Sequence, residues 1–183
     1  MNTVPAWARD ILAFWFAELT PKDWYRKDDA VDAAMRERFL GDWEGRQGEP
    51  ADSFMDNGDT ALAAVVLFDQ FSRNMFRDDP RAFSCDPLAR AIANAAIARG
   101  FDSEYEESHR QFFYMPFMHS EDLADQDRCL ALFETFSGEG SLGYARAHRA
   151  VIARFGRFPH RNAVLGRETT DEEKAAIESG AIW

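Results

Sequence analysis

Apolar side chains recur along this chain at intervals of three or four residues, whereas runs that alternate apolar and polar residues are almost absent. Segments with this spacing are separated by proline, glycine and N-capping residues every ~15 to 25 positions. The pattern predicts an all-α protein of about eight helices. Because the connections are short, antiparallel neighbours packed as stacked hairpins are the expected arrangement. A chain of 183 residues is expected to form one helical domain over residues 1–183.

Capping residues, glycines and prolines mark where the helices begin and end. The predicted helices are Pro5 to Leu19; a segment capped by Asp28 or Asp29; Thr60 to about Phe76, capped by Asp59; Asp86 to Gly100; a segment from a capping box at Ser103 to Pro116; one starting at Ser120; Leu142 to Phe155, with Gly156 as C-cap; and one opened by a capping box at Thr170. The first half of the third helix is apolar on every side, which predicts a central position.

Positive charge is concentrated in one segment, Gly140 to Arg167. It contains six arginines, two histidines and no aspartate or glutamate, in a chain whose net charge is -11. Within it, Phe155 to Asn162 combines aromatic, guanidinium and imidazole groups on a stretch that Gly156 and Pro159 keep from forming a regular helix. We call this stretch the basic loop.

Arg157 and Arg161 lie four residues apart in the basic loop. Guanidinium groups match carboxylates and phosphates with two parallel hydrogen bonds, so the loop is suited to holding an anion. The alternative is that its arginines form internal ion pairs, with Asp69, Asp86 or Asp125 as the expected partners.

Composition argues against several classes of protein. The acidic balance disfavours nucleic-acid binding, which depends on an outward basic face that neutralises phosphates. No apolar run approaches the roughly 18 residues of a membrane span, and the first five residues contain neither a basic residue nor an apolar segment. Cys85 and Cys129 show no paired ligand spacing, which indicates reduced thiols. The expected location is the cytoplasm, without membrane or nucleic-acid partners, and the sequence carries no signal for an oligomeric state.

The third predicted helix turns from apolar to charged along one face. Asp69 and Arg73 inherit the inward direction of the apolar residues before them, and they can pair at i, i+4 spacing. Arg77 follows one turn later, and Gln70 and Asn74 are expected to form a neighbouring pair. Because unpaired charge is costly to bury, inward charges either line a cavity or form a buried ion pair that fixes helix packing.

His119 stands immediately before the predicted start of the sixth helix, beside Glu121 and near Asp125. A carboxylate that holds a histidine sets its tautomer and stabilises the imidazolium, as general acid–base chemistry requires. The alternative is a histidine in a capping loop with no chemical role. Ser120, the nearby hydroxyl, is expected to act as an N-cap.

Motifs for common metals and cofactors are missing. The chain has no His-Glu-x-x-His, no cysteine pair and no EF-hand spacing. A metal site would have to be assembled from His119, Glu121, His148 and His160 on separate segments. A nucleophile elbow, a phosphate-binding glycine-rich loop and a dinucleotide fingerprint are also missing. We therefore expect no metal and no cofactor.

Four blocks of sequence form a specific combination that extends along nearly the whole chain. They are Ile11 to Phe16; Leu67 to Arg77; Met115 to Glu121 with Asp125 and Gln126; and Phe155 to Asn162 followed by Leu165 to Arg167 and Thr170 to Glu173. The combination resembles the signature of a bacterial family called domain of unknown function 924. The resemblance implies a helical fold like that of tetratricopeptide repeats, although the sequence shows no repeat consensus by itself. No activity comes with the family, so no catalytic residue is carried over.

The charged helix, the His119 segment and the basic loop are expected to line one pocket between stacked helices. The pocket would bind a small anionic ligand or the carboxylate end of a peptide, held by arginines with histidines as hydrogen-bonding or proton-transferring partners. The candidate ligand-binding residues are Asp69, Arg73, Asn74, Arg77, His119, Arg157, His160 and Arg161.

Two other functions are compatible with the same residues. The first is a metal-independent, hydrolase-type enzyme that uses a histidine–acid pair, with His119, Glu121 and His160 as catalytic candidates. The second is a protein-interaction scaffold without a small-molecule site, which would expose a large apolar groove. A strongly perturbed histidine in a closed cleft, with a nucleophile or a positioned water within hydrogen-bond reach, would favour the enzyme.

Overall fold

The computed structural model describes residues 3–180, and all regular structure within that range is helical. The all-α prediction is confirmed. The part of the N-terminal prediction that falls on Met1 and Asn2 lies outside the described residues, as does the end of the predicted 1–183 domain. Among the helices described here, none is both long and apolar enough to cross a membrane.

Eleven α-helices follow one another between residues 3 and 180. They are α1 (Ala6–Ala13), α2 (Pro21–Trp24), α3 (Asp29–Arg46), α4 (Gly58–Val65), α5 (Ser72–Met75), α6 (Arg81–Ser84), α7 (Asp86–Ala98), α8 (Glu107–Met118), α9 (Leu123–Phe133), α10 (Glu139–Phe155) and α11 (Asp171–Glu178). The turns Phe14–Glu18 and Val66–Phe71 are π-helical, and Ala51–Phe54, Phe101–Glu104 and Pro159–Arg161 are 3₁₀ turns. The first and third predicted helices therefore exist, but each contains a π-helical stretch that the apolar spacing did not indicate.

The chain divides into two compact units, Met1–Pro116 and Phe117–Trp183. The single domain expected from the chain length stays a prediction. In the first unit, every residue from Thr60 to Phe71 is buried, and α1, α3 and α7 pack around this segment. The segment has no charged side chain before Asp69, and a helix that is apolar on all sides is stable only when it is covered on all sides. The predicted central position is confirmed.

The second unit is built on α9 and α10, which are joined by residues 134–138 and pack as a helical hairpin. Phe133 of α9 and Ala145 of α10 are buried between them. A smaller apolar cluster, Val151, Ile152 and Phe158, joins the end of α10 to the basic loop. Because Phe158 is only 1% exposed, the basic loop is anchored at its aromatic residue.

Several predicted helix ends are confirmed. Asp28 caps α3 by accepting backbone N–H groups of the first turn at 3.0 and 3.3 Å. Gly156 ends α10 in the left-handed conformation, with φ of 67°. Thr170 opens α11 with the predicted capping box, in which its hydroxyl and the Glu173 carboxylate each accept a backbone N–H. Caps of this kind stabilise a helix by about 1 kcal/mol each.

Other predicted ends are wrong. Asn57, not Asp59, caps α4, because its side-chain oxygen accepts the N–H of Thr60 at 2.9 Å. Ser103 does not open a helix, since its hydroxyl donates to the Gly100 carbonyl at 2.6 Å within a 3₁₀ turn. Helix α8 begins after that turn.

Pro116 does not end α8, which continues two residues beyond it. Proline removes one backbone hydrogen bond, but its fixed φ is compatible with a helix. Helix α9 then begins at Leu123 rather than at Ser120. Its cap is Asp122, whose carboxylate accepts a backbone N–H at 2.7 Å.

Candidate functional site

The charges of the third predicted helix form ion pairs inside the first unit. Arg73 Nη1 lies 3.4 Å from Asp69 Oδ1, as the i, i+4 spacing predicts. The same guanidinium donates to both oxygens of Asp86, at 3.0 and 3.1 Å. Burial opposes the charge of Arg73, but the two carboxylates outweigh burial and raise its pKa. Arg73 therefore holds two acids of its own unit.

Arg77 and Asn74 both bind Asp32, a carboxylate of α3 that is 2% exposed. Arg77 donates through Nε and, at 3.0 Å, through Nη2, and Asn74 Nδ2 donates at 2.8 Å. Gln70 donates instead to Asp69 at 2.6 Å, so the predicted Gln70–Asn74 pair is wrong. These contacts hold the helices of the first unit together.

Most arginines of the Gly140–Arg167 segment are in ion pairs within the second unit. The pairs are Arg146–Glu139 (2.9 Å), Arg149–Asp127 (2.5 Å), Arg154–Glu172 (2.9 Å), Arg157–Glu173 (2.7 Å) and Arg167–Glu121 (2.8 Å). Internal pairing, the alternative raised for the basic loop, is confirmed for Arg157, and the four arginines outside the loop are paired in the same way. The predicted partners were wrong for them, because acids on or beside α9, α10 and α11 take the place of Asp69, Asp86 and Asp125.

Among these pairs, Arg157–Glu173 has the most buried carboxylate. Arg157 donates through Nε at 2.7 Å and through Nη2 at 2.9 Å to the two oxygens of Glu173. Asn162 and the backbone N–H of Thr170 also donate to this carboxylate, at 3.3 and 2.8 Å. The Arg157 hydrogen bonds, against the effect of burial, lower the pKa of Glu173 to about 2. Glu173 therefore links Arg157 and Asn162, which lie near the two ends of the basic loop, to α11.

Glu121 fastens the middle of the basic loop. Its two oxygens accept from Arg167 at 2.8 and 3.0 Å and from the N–H of Phe158 at 2.8 Å, and Arg167 also donates to the Phe158 carbonyl at 3.2 Å. Burial alone would raise the pKa of Glu121, but these hydrogen bonds outweigh it and lower the pKa. Because both oxygens hold the loop, this carboxylate is poorly placed to exchange protons with His119.

Two imidazoles stand near the Phe158 ring, and a third stands beside one of them. The ring centre of His148 lies 5.6 Å from that of Phe158 and 6.3 Å from that of His119. The His160 ring centre lies 5.6 Å from that of Phe158, and the Arg161 guanidinium stands 4.4 Å from the centre of the same ring. We call His119, His148, His160 and Arg161 the imidazole cluster. His160 is exposed, the other two imidazoles are partly exposed and Arg161 is 6% exposed, so the cluster reaches from the core to the surface.

Three separate elements supply the imidazole cluster. His119 follows the end of α8, His148 lies on α10, and the 3₁₀ turn Pro159–Arg161 presents the remaining pair. The structure therefore brings together His119, His160 and Arg161, which the sequence had selected. That the charged residues of the third predicted helix share this site stays a prediction.

His148 was not selected as a ligand residue, although the sequence contained a signal for it. It lies three and four residues before Val151 and Ile152, so helical spacing directs all three side chains to the same face. Val151 and Ile152 are buried, so an imidazole on the same face is expected to be at least partly buried.

Burial and neighbouring charges together determine the protonation state of His148. Its Nδ1 donates to the carbonyl of Tyr144 at 2.8 Å, which fixes the proton of the neutral ring on that nitrogen. Burial first, and then the charges of His119, Arg161 and His160, lower the pKa of His148 to about 3. His148 is therefore neutral near pH 7.

We expect His148 to make the protein sensitive to mild acid. The unfolded chain takes up a proton at this residue below about pH 6.5, whereas the folded chain does so only near pH 3. The free energy of unfolding should therefore fall as the pH is lowered, by about 2 kcal/mol between pH 7 and pH 5. Urea unfolding at the two pH values measures this loss. His148→Gln should remove most of it, leaving the part contributed by other buried groups such as His109, and an equal loss in that variant would assign it to those groups.

The remaining polar groups of this region have structural contacts. Ser120 donates to Asp125 at 2.6 Å and accepts the N–H of Asp122 at 3.2 Å. Its hydroxyl therefore binds the capping residue of α9 and is not itself the N-cap. Within residues 3–180, no group of three or more His, Cys, Asp or Glu side chains is arranged to hold a metal ion. Burial raises the pKa of the Cys129 thiol to about 12, which makes it unreactive.

Comparisons with known proteins agree with this architecture. The structure of ATU0120 from Agrobacterium tumefaciens, described as a protein of unknown function, is 42% identical in sequence, with a TM-score of 0.87 over 94% of this chain and 97% of that one. No curated protein matches the chain. A family model described as "bacterial protein of unknown function (DUF924)" matches residues 11–181. By this match over nearly its whole length, the chain belongs to the DUF924 family of bacterial proteins.

Proposed function

We propose that the imidazole cluster binds a small anionic ligand through a carboxylate or phosphate group. The observation that supports this function is the grouping of three imidazoles and one buried guanidinium: His148, His160 and Arg161 stand against the Phe158 ring, and His119 stands beside His148. Imidazole N–H groups and guanidinium groups donate hydrogen bonds, and both interact most strongly with anionic oxygens.

The local charge favours an anion over a cation or a neutral molecule. Three groups that can carry positive charge, His119, Arg161 and His160, lie close enough to His148 to help lower its pKa. Two acids of this region are already engaged: Glu121 by Arg167 and the Phe158 N–H, and Asp125 by the Ser120 hydroxyl. A negatively charged group placed among these residues would therefore gain favourable Coulomb energy.

The donors of the proposed site are His119, His160 and the Arg161 guanidinium. His148 Nδ1 already donates to the Tyr144 carbonyl, so its neutral ring has no second N–H for a ligand and would act only as a neighbour of the bound anion. The ligand would be recognised by its anionic end, which fits either a small metabolite or the carboxylate terminus of a peptide.

The basic loop is held in place before any ligand arrives. Glu121 and Arg167 fix the backbone of Phe158, and Glu173 fixes Arg157. Little conformational entropy is then lost when an anion binds, because the loop that presents His160 and Arg161 is already ordered. This assigns Arg157 a supporting role and leaves direct contact to the imidazole cluster.

Proton-transfer catalysis is less well supported than binding. A general base works best when its pKa is close to the working pH, whereas the pKa of His148 is lowered to about 3. Glu121, the acid of the predicted pair, holds the loop through both oxygens. A binding role needs neither group to titrate.

Inorganic phosphate and acetate are the first probes of this proposal. We expect both to shift the imidazole NMR resonances of His119, His148 and His160 saturably at pH 7, whereas His109, which lies in the first unit, should be unaffected. Arg161→Gln should weaken binding at least about tenfold, since a hydrogen bond to a charged group contributes about 1.5 to 3 kcal/mol. Adding short peptides with free or amidated C-termini separates a metabolite site from a peptide site.

Arg146→Gln is the matched control, because Arg146 lies in the same basic segment and is exposed on α10. It should leave the affinity unchanged. If Arg161→Gln fails to fold, His160→Gln replaces an exposed ring and should still weaken binding several-fold. Unchanged affinity in a folded Arg161→Gln, or shifts that never saturate, would overturn the proposal.

A further inference from the structure

The first unit contains a separate cleft of about 380 Å³ between α1, the start of α4 and the segment that leads into α8. Small-molecule sites are typically clefts of about 300 to 1,000 Å³ with mostly apolar walls and a few polar groups. This cleft has both kinds of lining. It is distinct from the imidazole cluster, which belongs to the second unit. The charged side chains of its lining are acidic, whereas the imidazole cluster consists of basic side chains.

The polar part of the lining is negatively charged. Asp59, Glu104 and Glu106 line the cleft, and among the described residues no lysine or arginine lines it. Burial lowers the pKa of His109, so this lining imidazole is neutral near pH 7. The guanidinium of Arg110 donates to the carbonyl of Tyr105 at 3.0 and 2.7 Å. An occupant therefore meets carboxylates without a compensating cation.

The other part of the lining is aromatic and aliphatic. The Phe16 and His109 rings are stacked, with centres 4.0 Å apart and planes at 24°. Leu12 and Leu62 complete this wall. An aromatic face beside carboxylates is the setting in which proteins bind organic ammonium groups, because the ring quadrupole and the carboxylates both attract positive charge.

Gly58 leaves room for the polar part of the lining. A β-carbon at this position would stand 2.8 Å from the Tyr105 hydroxyl and 3.3 Å from a Glu104 oxygen. Glycine therefore lets both side chains lie directly over the start of α4. The Tyr105 hydroxyl then donates to Asp59 at 2.7 Å, which fixes the polar wall.

We propose that this cleft binds a small organic cation, an amine in its protonated form carried on an apolar or aromatic body. The charged end would lie among Asp59, Glu104 and Glu106, and the body would lie against Phe16 and the leucines. A neutral analogue would keep only the apolar contacts, and an anionic analogue would be repelled by the carboxylates. This inference does not depend on the function proposed for the imidazole cluster.

Three phenyl compounds of similar size test this assignment in the full-length protein. At pH 7 and low salt, 2-phenylethylammonium should bind saturably by calorimetry and shift the NMR resonances of His109 but not those of His119, His148 or His160. 2-Phenylethanol should bind about fivefold or more weakly, and 3-phenylpropionate should not bind in the cleft. High salt should weaken the binding of the ammonium compound.

Variants then separate charge from apolar contact. Glu104→Gln combined with Glu106→Gln removes two exposed carboxylates and should weaken ammonium binding by about three- to tenfold. Glu44→Gln, an exposed acid on α3, is the matched control and should have no effect. Phe16→Leu keeps an apolar wall without its ring and should cost about two- to fivefold. Equal binding of 2-phenylethanol and 2-phenylethylammonium, unchanged binding in the double variant, or no saturable binding would each overturn the proposal.

Discussion

Replacing Asp32 by alanine is expected to destabilise the first unit by about 3 kcal/mol. Asp32 is buried on α3 and accepts hydrogen bonds from Arg77 and Asn74. Its removal leaves a guanidinium and an amide without their shared acceptor, and the cost of an uncompensated buried charge exceeds that of a lost contact. Urea unfolding of the wild type and the variant, followed by circular dichroism at pH 7, measures the loss.

Two further substitutions show whether the loss depends on the position of Asp32 and on its charge. Asp29→Ala removes an exposed acid from the first turn of the same helix and should change the free energy of unfolding by only about 0.5 kcal/mol. Asp32→Asn keeps an acceptor for Asn74 without the charge that Arg77 requires, and its loss should lie between the other two. A loss below about 1 kcal/mol for Asp32→Ala would show that Arg77 finds another partner.

Local patterns determined the helices that the sequence could predict. The apolar segment from Thr60 to Phe68 is central because its composition leaves no face for water. Gly156 and Thr170 mark helix ends because their roles depend on neighbours within four residues. The π-helical turn Phe14–Glu18 has no such local signal, so the spacing could not indicate it.

Ion-pair partners show where sequence reasoning reaches its limit. Asp69 and Arg73 were predicted to pair because i, i+4 spacing brings their side chains together on any helix. Arg77 and Asp32 are separated by 45 positions, and only the packing of α3 against α5 makes them neighbours. For the same reason, the arginines of the basic segment use acids that sequence distance did not single out.

The imidazole cluster was predicted in part. His160 and Arg161 were selected because a loop broken by glycine and proline presents them without neighbouring acids. His119 was selected for its place before a helix. His148 was considered only as a metal ligand and not for the anion site, because it lies within α10 and its contact with Phe158 depends on the turn of the chain at Gly156.

Replacing Glu173 by alanine is expected to release the basic loop and to destabilise the second unit by about 3 kcal/mol at pH 7. Glu173 is 2% exposed and accepts from Arg157, Asn162 and the N–H of Thr170, so one substitution leaves three donors without their acceptor. Urea unfolding measures the loss, and hydrogen exchange of residues 156–173 should rise sharply. Because its pKa is lowered to about 2, the contribution of Glu173 is complete above about pH 4.5 and is lost as the pH falls toward 2.

Glu172→Ala is the matched control for this position, because Glu172 is the preceding residue on α11 and binds Arg154 at an exposed site. Exposed pairs contribute little, so its loss should remain within about 0.5 kcal/mol and hydrogen exchange in the basic loop should be unchanged. In the Glu173→Ala variant the imidazole cluster should also bind phosphate more weakly, since the loop that presents His160 and Arg161 is no longer held in place. If both variants lose the same stability, Glu173 is not the anchor of the loop, and the ordered loop on which the anion site depends must be held by Glu121 and Arg167 alone.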